Sequence, residues 1–158
     1  MSASQPSSSI PAATPVPKYS DGEEADDMSE ECKDLMSALP KVEERWVAKY
    51  LYQYRGFWHY RFSLQGTLAC QNHFVAHDTD IILATTPKSG TTWLKALTYA
   101  LVNRSRISPS LEEGHPLLIR NPHDLVPHLE ISLYSYGQVP DLSSMPSPRL
   151  LSTHLPLN

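Results

Sequence analysis

The chain reads as an α/β fold built on a parallel sheet, and three stretches carry that expectation. "DIILATT", Asp80 to Thr86, is a continuous apolar and β-branched run, the pattern of a strand buried on both faces of such a sheet. "TWLKALTYALVNR" comes after a tight loop, with Trp93, Leu97, Ala100 and Leu101 on one apolar helical face. "RLLSTHLP" reads as a second short buried strand, Arg149 to Thr153, running into His154.

Taken in order, residues 1–27 are Ser, Pro and Ala followed by the acidic block "SDGEEADD", with too little to bury, and are expected to be disordered. Residues 28–158 form the folded part. "MSEECKDLMSAL" predicts a short helix stopped by Pro40. "KVEERWVAKYLYQYRGFW" reads as a second segment with Val42, Trp46 and Tyr50 at the helical spacing of four, ended by Gly56. Tyr54, Phe57, Trp58 and Tyr60 then fall in a turn or irregular stretch, either as an aromatic plug over the domain edge or as the wall of an apolar pocket. Between Ser105 and Pro148 prolines break the chain, leaving room for one or two helical turns in "DLVPHLEISLYSYG". Two strands are too few for a parallel sheet covered on both faces, so the sheet is expected to be incomplete.

Bulk composition excludes several classes. A net charge of -4 over 158 residues lacks the basic footprint of a nucleic-acid or anionic-membrane binder. Cys32 and Cys70 form no CxxC pair, so neither a disulfide framework nor a zinc ribbon is indicated, and a reducing, cytoplasmic setting is expected. No apolar run approaches the ~18 residues of a membrane span. The serines at the start resemble a transit peptide in number only: arginine is absent until Arg45 and acidic residues come first.

The loop "TTPKSGTTW", Thr85 to Trp93, carries the chemistry. It is not GxxxxGK[ST], because Lys88 precedes Gly90, and no two of the six glycines lie close enough for GxGxxG. Its mechanical reading is an anion cradle. Pro87 sets the turn, Gly90 lets backbone approach a ligand, and the first helical amides have no intrahelical acceptor. Ser89, Thr91 and Thr92 add hydroxyl donors and Lys88 a full charge. Either threonine taken alone would be an ordinary helix cap. Trp93 fits both a core position and a ring on which adenine stacks.

"TTPKSGTTWLKAL", with "HDTDIILA" before it and "RLLSTHLPLN" after, resembles the cytosolic sulfotransferases that use 3′-phosphoadenylyl sulfate, most closely the plant branch acting on flavonoids, brassinosteroids and related hydroxyl compounds. The resemblance runs from Lys41 to Asn158. It implies a P-loop-like sheet similar to that of nucleotide kinases. It also implies that Lys88, Ser89, Gly90, Thr91 and Thr92 hold the phosphosulfate end of the donor, with Trp93 against its adenine. The THxP histidine of the family, here His154, would be the general base, and Lys88 would also act in catalysis on the leaving oxygen. The co-substrate is then 3′-phosphoadenylyl sulfate without a metal, and the acceptor a small hydroxylated molecule such as a flavonoid or steroid. Some members carry a basic residue where this chain has Ser152.

The family's 3′-phosphate arginine and serine and its GxxGDWK segment have no counterpart here, so the sequence is expected to be the N-terminal half of a sulfotransferase. The alternatives are an inactive fragment serving only as an interaction module, and a phosphotransferase using the same loop for ATP. His73, His77, His115, His123 and His128 form neither HExxH nor a set with cysteine, and their spacing reads as chance. "RNPHD", Arg120 to Asp124, reads as part of a variable acceptor-side region.

Overall fold

The computed structural model describes residues 28–44, 48–107 and 114–156. The tail at residues 1–27, Trp46 and the last two residues lie outside them. Helix α1, Glu30–Ala38, starts where the Ser29 side chain accepts from the Cys32 N–H, with Glu30 and Glu31 placed favourably against the helix dipole. It ends before Pro40 and buries Cys32 and Met36, four residues apart.

Among the described residues the segment after Pro40 is not helical. It forms an antiparallel meander of β1 (Lys41–Glu43), β2 (Tyr50–Tyr54) and β3 (Phe57–Tyr60), in register Val42↔Leu51 and Tyr52↔His59. Arg55 and Gly56 both have positive φ, 49° and 84°, which is the two-residue turn that matches strand twist. Cross-strand pairing of the aromatic and β-branched residues therefore overrides the spacing of four. The aromatic cluster lies on these strands and not in an irregular stretch: Tyr54 packs on the core, Tyr60 stacks on Phe62 at 5.5 Å, and Phe57 and Trp58 stay exposed.

Helix α2, Arg61–His73, is the central element and has no counterpart among the elements expected from the sequence. One side packs Leu64 and Leu68 against α1 and β2, around Cys32 and Met36. The other packs Ala69 and Cys70 against Leu129, Tyr134 and Leu151. Gly66 is where α2 approaches the backbone of a wide helical turn at Leu129–Leu133, closely enough that no Cβ fits.

Strands β4 (Ile81–Ala84) and β5 (Leu150–Thr153) pair in parallel from Ile81↔Leu150 to Ala84↔Thr153. On its other edge β5 meets His128 through a bridge to Ser152, so β5 is buried throughout. Strand β4 is not buried on both faces as expected. It alternates, with Ile81 and Leu83 in the core and Ile82 and Ala84 exposed, because its outer face has no covering element among the described residues. Arg149 and Asp80 close the start of the pair: Arg149 Nε donates to Asp80 Oδ1 at 2.7 Å, and its guanidinium also reaches the Val75 carbonyl.

Helix α3, Thr91–Val102, crosses from the end of β4. Its inward stripe is Thr91, Lys95, Tyr99 and Val102, packed toward Leu117, Leu125 and Val126. The apolar face anticipated from the sequence exists but points outward: Trp93 is 76% and Leu97 62% exposed. The proline-rich region supplies two short helices, α4 (Pro116–Ile119) and α5 (Pro122–Leu125), each started by a proline at its first position. After the wide turn comes a tight turn at Ser135–Gly137.

Candidate functional site

Strands β4 and β5 end side by side, and the residues just beyond the two ends make the site. Past β4 the loop bends through two left-handed residues, Lys88 at φ 64° and Gly90 at φ 96°. Glycine adopts that conformation freely, whereas a lysine there costs on the order of 1–2 kcal/mol and marks a position held for a reason. Left-handed residues in such a loop turn successive N–H groups inward, the geometry of an anion-binding nest. Gly90 caps α3 without a side chain, and a Cβ added there would meet nothing within 4 Å, so the space above the first turn is open.

The hydroxyls of the loop have different employments. Ser89 Oγ donates to the Thr86 carbonyl at 2.7 Å, and buried Thr91 Oγ1 shares a 2.7 Å bond with Thr85 Oγ1. Thr92 is the exposed hydroxyl and meets His123 Nε2 at 3.2 Å. Lys88 is exposed and, among the described residues, has neither an ion-pair nor a hydrogen-bond partner. Trp93 is not core: its ring stands open beside the cradle.

Beyond β5 stands His154. Its ring Nδ1 lies 2.7 Å from the Thr85 carbonyl oxygen. A carbonyl only accepts, so in the neutral ring Nδ1 carries the proton and Nε2 keeps a free lone pair, the tautomer of a general base. Glu130, 2% exposed, fixes the backbone beneath it: Oε1 accepts the His154 N–H at 2.8 Å and Oε2 the Thr153 hydroxyl at 2.9 Å. Thr85 thus joins the histidine to the first turn of α3 through its carbonyl and its hydroxyl. Ser152 is fully buried with its hydroxyl toward the Pro127 carbonyl at 3.1 Å, so it faces the 126–128 segment.

Four further residues converge here that sequence reasoning missed. Lys95 is fully buried, one turn beneath Thr91 on the same side of α3. Burial pushes its ammonium down to about 8, against the attraction of Glu130 and then Asp124. His123 lies against Lys95, and burial followed by the Lys95 charge lowers its pKa. His128 sits between two rings, 4.5 Å from His154 and 5.6 Å from His123 by centroid. Burial and then the Lys95 charge, with smaller effects of His154 and His123, push it down to about 3, so it stays neutral. Glu130 is the fourth. "RNPHD" brings His123 to Thr92 in the loop that follows β4. The spacing of the histidines carries no sign of this; the one available signal was Lys95, placed four residues after Thr91 on a helix. A separate cleft of about 430 Å³ between α1 and α2 shares no residue with the site.

A parallel strand pair with a nest-like loop after one strand and an oriented histidine after the other defines a class: an α/β protein whose candidate site lies at the carboxyl ends of its strands, where open α/β sheets bind their ligands. Residues 78–158 match the sulfotransferase domain, and the chain belongs to that family. It is 48% identical over 142 residues to cytosolic sulfotransferase 15 of Arabidopsis thaliana, covering 89% of this chain and 38% of that protein. Cytosolic sulfotransferase 12 of the same plant is 49% identical over 144 residues, 91% of this chain and 43% of the relative. A crystal structure of a candidate steroid sulphotransferase from Arabidopsis thaliana superposes with a TM-score of 0.69 at 48% identity, over 81% of this chain and 46% of the other. The chain therefore spans less than half the length of these relatives.

Proposed function

We propose that the chain carries the donor-binding and base-bearing part of a cytoplasmic sulfotransferase, in which a sulfuryl group moves from 3′-phosphoadenylyl sulfate to a hydroxyl of a small acceptor of flavonoid or steroid type. The observation that supports it most is the pairing of a left-handed Lys88, unpartnered among the described residues, with a histidine whose Nδ1 is committed to the Thr85 carbonyl. The residues fit such a donor: a nest, an open glycine position, an exposed cation and an exposed aromatic ring stand together without a carboxylate among the loop residues 85–93. When bound, the donor supplies an activated sulfur whose bond to the phosphate oxygen breaks as the acceptor oxygen bonds to it.

His154 Nε2 takes the acceptor's hydroxyl proton, a contribution typically worth ~10²–10⁴ in rate. Lys88 meets the negative charge left on the phosphate oxygen, on the order of 3 kcal/mol of stabilisation for a well-aimed donor. Trp93 offers its face to the adenine.

The test is transfer of labelled sulfate to a panel of flavonols and steroids by the chain, by Lys88→Ala and by His154→Ala, alongside calorimetry with adenosine 3′,5′-bisphosphate and ATP. Product formation that drops at least ~10²-fold in each variant supports the assignment. Undiminished turnover in either variant removes that residue from the mechanism. Nucleotide binding without transfer would make the chain a binding module, and preference for ATP would move the reading to phosphoryl transfer.

A further inference from the structure

Helix α3 buries the wrong residues for a packing helix. Trp93, Leu94, Leu97 and Leu101 face out, while Thr91 and Lys95 face in beside Tyr99 and Val102, and Lys95 is fully buried. A lysine does not leave water without a partner of matching strength. Yet among the described residues no carboxylate lies within ion-pair distance of Lys95 Nζ; its bonded partner is His123 Nδ1, at 3.0 Å.

The direction of that bond follows from proton counting. An ammonium has only hydrogens to offer, so His123 Nδ1 must be the acceptor, and in the neutral ring the proton then sits on Nε2. Nε2 lies 3.2 Å from Thr92 Oγ1 and donates to it. The Thr92 hydroxyl, having accepted, keeps its own hydrogen, and among the described residues nothing else lies within bonding distance to receive it. That hydrogen leaves from the exposed first turn of α3, beside the unpaired amides.

We propose that Lys95 and His123 form a relay that fixes Thr92 as a hydrogen-bond donor to the tetrahedral oxyanion held at the amino end of α3, making His123 a positioning residue for the phosphosulfate end of the donor. The relay rests on the cradle reading of the proposed function and adds the residues that orient it. The charge states agree with the geometry. Lys95, held down to about 8, remains mostly an ammonium at neutral pH. His123 is kept neutral by burial and by Lys95, with Asp124 opposing. His128, stacked on His123, stays neutral as well. Without Lys95 the ring is free to take the other tautomer, in which bare Nε2 accepts from Thr92 and turns its hydrogen away from the ligand.

Two measurements on the 158-residue chain test this. In the unliganded protein, long-range proton–nitrogen NMR should find His123 protonated on Nε2, and Lys95→Met should convert it to a mixture or to the Nδ1–H form. A ring protonated on Nδ1 in the parent chain overturns the relay whatever the binding data say.

In calorimetry with adenosine 3′,5′-bisphosphate, His123→Phe and Lys95→Met should each weaken affinity about tenfold, as for loss of one hydrogen bond to a charged group. His123→Gln, whose amide can still donate to Thr92, should recover most of the loss. In a Thr92→Val background neither change should weaken binding further, which a purely structural role would not predict. If Lys88→Ala weakens binding but His123→Phe costs as much in the Thr92→Val background as in the parent chain, the cradle stands and the relay falls. If the parent chain and Lys88→Ala both show no affinity for the nucleotide, the cradle itself fails and takes the relay with it.

Discussion

Replacing Gly66 with alanine should loosen the seam that holds His154 in place. A Cβ on Gly66 would lie 1.9 Å from the Glu130 carbonyl oxygen, 2.9 Å from its carbon and 3.2 Å from the Tyr134 carbonyl oxygen. Carbon and oxygen sit comfortably at about 3.3 Å, so α2 and the turn at Leu129–Leu133 must separate by roughly 1.4 Å. The opposing atoms are backbone and have no rotamer to escape into. A radial gap of 0.5–1 Å already forfeits about a quarter to a half of the dispersion well, and this gap opens along the contact of Ala69 and Cys70 with Leu129 and Tyr134. We expect a loss of about 3 kcal/mol, the upper end for overpacking. With a urea dependence near 2 kcal/mol per molar, the unfolding midpoint should fall by about 1.5 M. Glu130 accepts from the His154 N–H and the Thr153 hydroxyl, so the His154 ring resonances should shift in the folded variant too. An alanine variant within about 0.5 kcal/mol of the parent by urea titration, with the His154 signals unmoved, would refute the argument.

Three further outcomes are expected. Asp80→Asn strands the buried Arg149 guanidinium and should cost about 3–5 kcal/mol, with Asp80→Asn/Arg149→Met recovering much of it in urea titrations. The Arg149 hydrogen bond holds the Asp80 carboxyl below its usual range, so its contribution is complete above the unfolded value of about 3.9 and lost as pH falls through the lower folded value; acid unfolding of Asp80→Asn should lack that component. The Cys70 thiol is pushed up to about 11 by burial, with Glu130 adding to it, and burial raises Cys32 likewise. Ellman's reagent at pH 8 should therefore show no fast-reacting thiol in the native chain and two in urea, and a fast native thiol would contradict the burial of one of them. Gly56→Ala should cost about 1 kcal/mol from its φ of +84° alone, since a Cβ there meets nothing within 4 Å; chemical denaturation would measure it.

Several elements were legible from local pattern. Helix α1 lies within the segment expected to be helical and stops before Pro40, and β4, the loop, α3 and β5 come in the anticipated order. The meander at residues 41–60 was not legible from spacing, because a period of four among Val42, Trp46 and Tyr50 competed with an Arg55–Gly56 turn that was the better signal. In the site, Lys88, Gly90 and His154 stand out by motif. Lys95, His123, His128 and Glu130 do not, because each acts through a partner distant in sequence.

By itself the amino-acid order determined a strand, a tight loop with one lysine and one glycine, a helix, and a histidine closing a second strand, since these depend on neighbours a few residues apart. Only the tertiary structure decided which face of α3 turns inward, that β4 is covered on one side among the described residues, and that Thr85 holds the His154 ring in the Nδ1–H form while Glu130 fixes the backbone beneath it. The physical reason is range. Helix and strand periods are set by local geometry, whereas a tautomer, a buried ammonium and a gap too narrow for a methyl group exist only once separate segments are brought into contact.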